Sequence, residues 1–179
     1  AFEDNPELAK ARELGLPIYS FPEFIYERSR NKQRIAICGS YGKTTITSMV
    51  MHALNKAGRK FDYLVGGHVP GFDNSVRLSE DAPLIILEGD EYLASRQDRR
   101  QKFMLYKPQT AVVSGISWDH INVFPTEEGY VDQFRALLHT MSKAGNVIYH
   151  EEDSRLHKLV KKETDTDIHY LYPYKTPRY

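Results

Sequence analysis

The stretch Cys-Gly-Ser-Tyr-Gly-Lys-Thr-Thr at 38–45 gathers the residue types that hold phosphate. Gly39 and Gly42 let a backbone turn tightly and approach an anion with no Cβ in the way. The N–H groups of Ser40, Tyr41 and Thr45, with those of a helix N-terminus, would then face phosphate oxygens. Lys43 would neutralise terminal phosphates and Thr44 would offer its hydroxyl to Mg²⁺. The common form of such a loop has about four residues between its first glycine and the Gly-Lys pair. Here only Ser40 and Tyr41 separate Gly39 from Gly42. Two further stretches carry groups that suit the same chemistry. Glu88 ends an apolar run in Leu-Glu-Gly-Asp-Glu-Tyr and can hold Mg²⁺ directly or through water, with Asp90 and Glu91 able to exchange roles with it. His120, in Ser-Trp-Asp-His, can serve as a metal ligand or a general base. The plainer alternatives are a glycine turn with an exposed lysine, an ordinary acid at a strand end, and a loop histidine.

These residues need elements to position them. Arg-Ile-Ala-Ile-Cys (34–38) reads as a buried strand running into the glycine loop. After the loop, Ile46, Met49, Val50, Ala53, Leu54 and Ala57 share a helical face, and Gly58 sits where a C-terminal glycine cap belongs. Runs at 84–88, 110–116, 146–150 and 168–174 read as further strands, and 66–83 as mostly loop. Thr126 caps a helix with Tyr130, Val131, Phe134, Leu137, Leu138 and Met141 on one face; Leu156, Leu159 and Val160 mark another. Near the N-terminus, Asn5 and Pro6 open a helix that Gly15 ends, 16–20 reads as a short strand, and 21–32 as a second helix. Strands alternating with amphipathic helices predict an α/β fold with a mostly parallel sheet. Ligands of such sheets bind beyond the carboxyl ends of the strands, and the loop, Glu88 and Asp119–His120 all fall there.

Composition narrows the rest. Lys plus Arg and Asp plus Glu are 24 each, a balance unlike the basic excess of nucleic-acid binders. The single cysteine, Cys38, excludes an internal disulfide, suits a reducing cytoplasm and reads as a small core residue. No apolar run approaches a membrane span. The basic run 96–102 reads as a solvated helix face, with contact to an anionic substrate as the sharper alternative. Trp118 reads as a packing anchor, and the other histidines show no ligand spacing.

Gly-Ser-Tyr-Gly-Lys-Thr-Thr, Glu-Gly-Asp-Glu-Tyr and Ser-Trp-Asp-His, in this order and approximate spacing, resemble the ATP-dependent Mur ligases, whose nucleotide loop has the shortened form Gly-x-x-Gly-Lys-Thr/Ser-Thr/Ser. The resemblance implies the P-loop-type central domain of that family over 34–179, preceded at 1–33 by the end of an N-terminal UDP-binding, Rossmann-like domain. It implies ATP and Mg²⁺, with Thr44 and Glu88 holding the metal between nucleotide phosphates and His120 contributing to a second metal position. Asn74 and Ser75 resemble a loop near the sugar-linked substrate. Asp-Glu-Tyr followed by Asp-Arg-Arg-Gln-Lys-Phe is most similar to the murein-peptide ligase branch, which joins UDP-N-acetylmuramate to L-Ala-γ-D-Glu-meso-diaminopimelate. The UDP-N-acetylmuramate–L-alanine ligases stand second, and folylpolyglutamate synthetases are a more distant alternative. In the implied reaction ATP phosphorylates the muramate carboxylate, and an amine displaces phosphate from the acyl phosphate. Tyr41 departs from the family pattern, where His or Asn is common. No lysine lies near Phe134 and Arg135, where some branches carry a carbamylated one, which favours the muramate-first branches. The chain is expected to be a piece of such a ligase, unable to ligate or to bind ATP tightly alone. The readings from other classes are a different P-loop NTPase and a nucleotide-binding module without catalysis.

Overall fold

Gln33–Cys38 form β1, the central strand of a seven-stranded sheet, in a computed structural model that describes residues 4–119, 121–142, 144–164 and 170–176. The remaining strands are β2 (Asp62–Leu64), β3 (Val76–Arg77), β4 (Leu84–Glu88), β5 (Thr110–Val113), β6 (Asn146–His150) and β7 (Tyr170–Tyr174), in the order β3-β2-β4-β1-β5-β6-β7. Every pairing is parallel except β2 with β3. The apolar runs at β1, β4 and β5 suit a parallel sheet covered on both faces. Strand pleating divides their side chains. Ala36, Cys38, Ile85, Leu87, Ala111 and Val113 join the larger core, whereas Ile37 and Ile86 join the smaller.

The larger core lies under α5 (Glu127–Thr140) and α6 (Ser154–Glu163), and the smaller under α3 (Lys43–Lys56). Tyr130, Val131, Phe134, Leu137, Leu138 and Met141 are all buried on the face anticipated for α5, and Leu156, Leu159 and Val160 on that of α6. Thr126 accepts the Gly129 N–H at 3.2 Å and caps α5. Thr126→Ala is expected to cost about 1 kcal/mol in urea unfolding, with an unchanged slope.

Several expectations need correction. Residues 16–20 form no strand: none of the sheet's strands pairs with them, and Leu16, Ile18 and Tyr19 are exposed. They link α1 (Pro6–Glu13) to α2 (Phe21–Ser29). α2 ends three residues before the expected Lys32 because the Arg34 guanidinium donates to the carbonyls of Ser29, Arg30 and Lys32, supplying a charged C-terminal cap. The buried face of α3 is rotated: Met49 is 66% exposed and Ala53 exposed, while Thr47 and Met51 are buried with Ile46, Val50 and Leu54 at their side. The run 96–102 is not a helix. It folds back toward β4 through the Leu93–Gln101 bridge, and only Lys102 enters the one-turn helix α4 (Lys102–Leu105). β2 and β3 have no signature in the sequence, because two or three residues carry no readable period. The expected strand residues 168 and 169 lie outside the described residues.

Candidate functional site

β1 delivers Cys38 into the glycine loop at the carboxyl edge of the sheet, and α3 leaves it at Lys43. Gly39 has φ +118° and Gly42 φ +76°, backbone angles that favour glycine. Gly42 is the α3 N-cap and brings no side-chain cap, unlike Asn5 on α1, Thr126 on α5 and Asp153 on α6. The first-turn N–H groups of α3 are therefore free of a competing side chain at their own cap, the condition for anion binding there.

The residues after β5 cradle the loop. Ser114 N–H donates to Cys38 O at 3.1 Å, Ser114 Oγ donates to Tyr41 O at 2.6 Å, and Ser40 N–H donates to Gly115 O at 3.0 Å. Ser40 Oγ donates to Ser117 O at 2.5 Å and lies 3.0 Å from the buried Tyr130 hydroxyl. β5 is thus shorter than the anticipated 110–116, because 114–116 leave the ladder to hold the loop and Ile116 N–H bonds Asp153 Oδ2 at 2.8 Å. The ring of Tyr41 is exposed, and the residue takes part in the cradle through its carbonyl.

Three carboxylates at the end of β4 turn to three partners. Glu88 Oε1 accepts the Thr44 hydroxyl at 2.8 Å and Oε2 accepts the Gly66 N–H at 2.7 Å. Asp90 pairs with Lys102 at 2.8 Å. Glu91, 1% exposed, pairs with Lys43 at 3.0 Å, and Lys43 also donates to Gly39 O at 2.8 Å. Burial pushes the Glu91 carboxyl above its ordinary range, with the Lys43 charge opposing that shift. Glu91 therefore does not exchange roles with Glu88: it faces the lysine, and Glu88 faces the threonine. Lys43, Glu88, Asp90, Glu91 and Lys102 line one cavity of about 360 Å³, walled on its apolar side by Phe21, Leu64, Val65 and Tyr106.

Thr44 Oγ1 and Glu88 Oε1 are an all-oxygen pair beside the cavity, a donor set that fits a hard cation such as Mg²⁺, whose shell is usually completed by phosphates and water. Among the described residues no group of three or more His, Cys, Asp or Glu could hold a metal by itself. His120 lies outside the described residues. Asn74 and Ser75 are exposed just before β3, where Ser75 O accepts the Val65 N–H at 2.9 Å. Cys38 is buried and burial pushes its thiol well up, which makes it a packing residue. Trp118 Nε1–H donates to Phe124 O at 3.0 Å, but its side chain is exposed and joins neither core, so it is not the packing anchor expected. His52 packs edge-on to Phe72, His150 stacks on Tyr174, and His139 bonds Glu163.

A glycine loop between β1 and α3, at the carboxyl edge of a mostly parallel sheet and flanked by the β4 and β5 ends, defines the class of P-loop-type α/β domains. The model of the Mur ligase middle domain matches residues 37–174, and the chain belongs to the Mur ligase family. The UDP-N-acetylmuramate–L-alanyl-γ-D-glutamyl-meso-2,6-diaminoheptandioate ligase of Haemophilus influenzae is 34% identical over 145 residues, 80% of this chain and 32% of that protein. The UDP-N-acetylmuramate–L-alanine ligase of Desulfitobacterium hafniense is 31% identical over 86% of this chain and 32% of its own length. The chain thus spans about a third of the length of these relatives. The crystal structure of the UDP-N-acetylmuramate:L-alanyl-γ-D-glutamyl-meso-diaminopimelate ligase from Neisseria meningitides superposes with a TM-score of 0.81 at 27% identity, covering 98% of this chain and 55% of that one. Among the described residues no helix is long and apolar enough to cross a membrane.

Proposed function

We propose that this chain supplies the ATP- and Mg²⁺-binding part of a cytoplasmic peptidoglycan ligase. The ligase joins UDP-N-acetylmuramate to the tripeptide L-Ala-γ-D-Glu-meso-diaminopimelate by an amide bond. L-alanine is the second candidate for the amine, since relatives of comparable identity carry that name. Residues 1–33 are proposed as the end of a UDP-binding domain and 34–179 as the first part of the central domain. The observation that carries the reading is the convergence of Lys43, Thr44 and Glu88 beside the uncapped α3 N-terminus and one cavity.

The roles follow from charge. Phosphoryl transfer to a carboxylate brings two anions together, so the site must supply positive charge and fix both partners in line. The N–H groups of Gly39 and of Tyr41 through Thr45 seat the phosphates, whereas the Ser40 N–H, expected to join them, is already given to Gly115 O. Lys43 exchanges part of its contact with Glu91 for the terminal phosphate. Thr44 and Glu88 would hold Mg²⁺, with His120 proposed at a second metal position. When bound, the metal spreads the charge that develops on the transferred phosphoryl group. Asn74 and Ser75 are proposed to lie near the sugar-linked substrate.

The test is ADP release by the full-length protein. It should require UDP-N-acetylmuramate together with an amine, and kcat/KM should favour the tripeptide over L-alanine by at least about tenfold, a difference of 1.4 kcal/mol. Preference for L-alanine would select the second candidate. Release independent of UDP-N-acetylmuramate would refute the ligase reading.

A further inference from the structure

Lys102 lies outside the glycine-loop motif yet lines the same cavity as Lys43 and Glu88. The segment between β4 and α4 folds back on itself: Leu93 bridges to Gln101, Ala94 N–H donates to Arg100 O at 2.8 Å, and Lys102 N–H donates to Tyr92 O at 3.0 Å. That path returns Lys102 to the end of β4, where its ammonium meets Asp90 at 2.8 Å. Asp90 is itself held, since its other oxygen accepts the Tyr92 N–H at 2.7 Å. The side chains of Lys102 and Asp90 remain 28% and 35% exposed, so the pair stays open to a ligand and is not sealed in the core.

The cavity lining holds three carboxylates, Glu88, Asp90 and Glu91, against two ammonium groups, Lys43 and Lys102. An anion that enters this cavity needs a compensating cation or hydrogen-bond donors. Lys43 is committed to Glu91 and the phosphate loop, and Glu88 to Thr44. Of the residues lining the cavity, Lys102 is the cation left for a second anion. Its contact with Asp90 alone can be exchanged for a new carboxylate at small cost, because both groups are partly hydrated.

Resting on the ligase reading above, we propose that Lys102 binds the carboxylate that accepts the phosphoryl group, with Asp90 holding the ammonium in place until substrate arrives. In that step a carboxylate oxygen forms a bond to the γ-phosphorus. The bond from the γ-phosphorus to the β–γ bridging oxygen breaks, and its electron pair leaves on ADP. No proton or further reactant is needed. Lys102 lowers the repulsion between the two anions and sets the attacking oxygen beside the phosphates seated at Lys43.

The experiment compares Lys102→Met, Lys102→Gln and Lys102→Arg with the wild type in the full-length protein. The measurements are KM and kcat for UDP-N-acetylmuramate from ADP release, Kd for Mg·ATP, and Tm. Loss of a charge-assisted contact predicts a KM about tenfold or more higher in both the Met and Gln variants. The Arg variant should recover to within about threefold, since it keeps the charge. Mg·ATP affinity should stay within about twofold in all three, because an interaction with the carboxylate acts on that ligand alone. Lys102→Gln keeps an N–H donor beside Asp90 and keeps the test open should the Met variant prove unstable. An unchanged KM in the Gln variant, or an equal loss of Mg·ATP affinity, overturns the assignment. A wild type with no UDP-N-acetylmuramate-dependent ADP release refutes the ligase reading itself, a result distinct from an unmoved KM.

Discussion

Gly39→Ala is expected to lower stability by about 4 kcal/mol and to abolish measurable Mg·ATP binding, combining backbone strain with overpacking. At φ +118° an L side chain is strained before any contact is considered. A Cβ there would also lie 2.5 Å from Ser114 Oγ and 2.9 Å from both Gly115 O and Ser114 N. Two of those neighbours are backbone, so they cannot rotate aside. Relief requires the loop and the 114–117 cradle to part, which breaks the bonds from Ser114 to Cys38 and Tyr41 and from Ser40 to Gly115. Urea denaturation should show a lower midpoint with an unchanged slope. A Gly39→Ala variant with wild-type midpoint and wild-type nucleotide affinity would mean that this cradle does not hold the loop.

Lys43→Met should destabilise the ligand-free protein by about 3 kcal/mol at neutral pH, because it leaves the Glu91 charge buried and unpaired. The size of the effect must depend on pH in one direction. Burial already raises the Glu91 pKa, and removal of the lysine deletes the influence that opposed the rise. Between the ordinary glutamate value and the raised folded value, the folded state binds more protons than the unfolded one, so stability falls as pH increases. The penalty of Lys43→Met is therefore smallest below the wild-type folded pKa of Glu91, where both proteins hold the neutral acid, and complete above the still higher pKa of the variant. Glu91→Gln removes the buried charge, so the double variant Lys43→Met/Glu91→Gln should recover most of the loss and lack this pH dependence. A penalty that is flat with pH, or a double variant no more stable than Lys43→Met, would show that the pair is not coupled as described.

The parts of this site legible in the sequence are those that a short contiguous stretch can specify. Gly39, Gly42, Lys43 and Thr44 lie within six residues, and Glu88 terminates an apolar run, so spacing alone placed them at strand ends. The cradle was not legible: Ser114, Gly115 and Tyr130 meet the loop from 73 to 90 residues away. The acidic trio could be seen but not assigned, because which carboxylate meets which cation depends on the pleat of β4 and the path of the segment after it. For the same reason the run 96–102 reads as a helix face although it is a fold-back toward β4. Its return to β4 is set by a single bridge and a few backbone bonds, which leave no period in the sequence. The α3 face differs in phase from its apolar pattern because Thr47 reads as polar and Met49 as apolar, while packing on the sheet buries the first and exposes the second. The long amphipathic stripes of α5 and α6 left no such ambiguity.

The double variant also separates folding from binding. Calorimetric titration of Mg·ATP into the full-length protein and into Lys43→Met/Glu91→Gln, at a pH where both are folded, asks whether this loop seats the phosphates. The account predicts at least about 100-fold weaker binding in the double variant, the loss of a charge-assisted contact worth roughly 3 kcal/mol. Equal affinity in the two proteins would contradict it, and residues 39–45 would then be a glycine turn that carries a lysine.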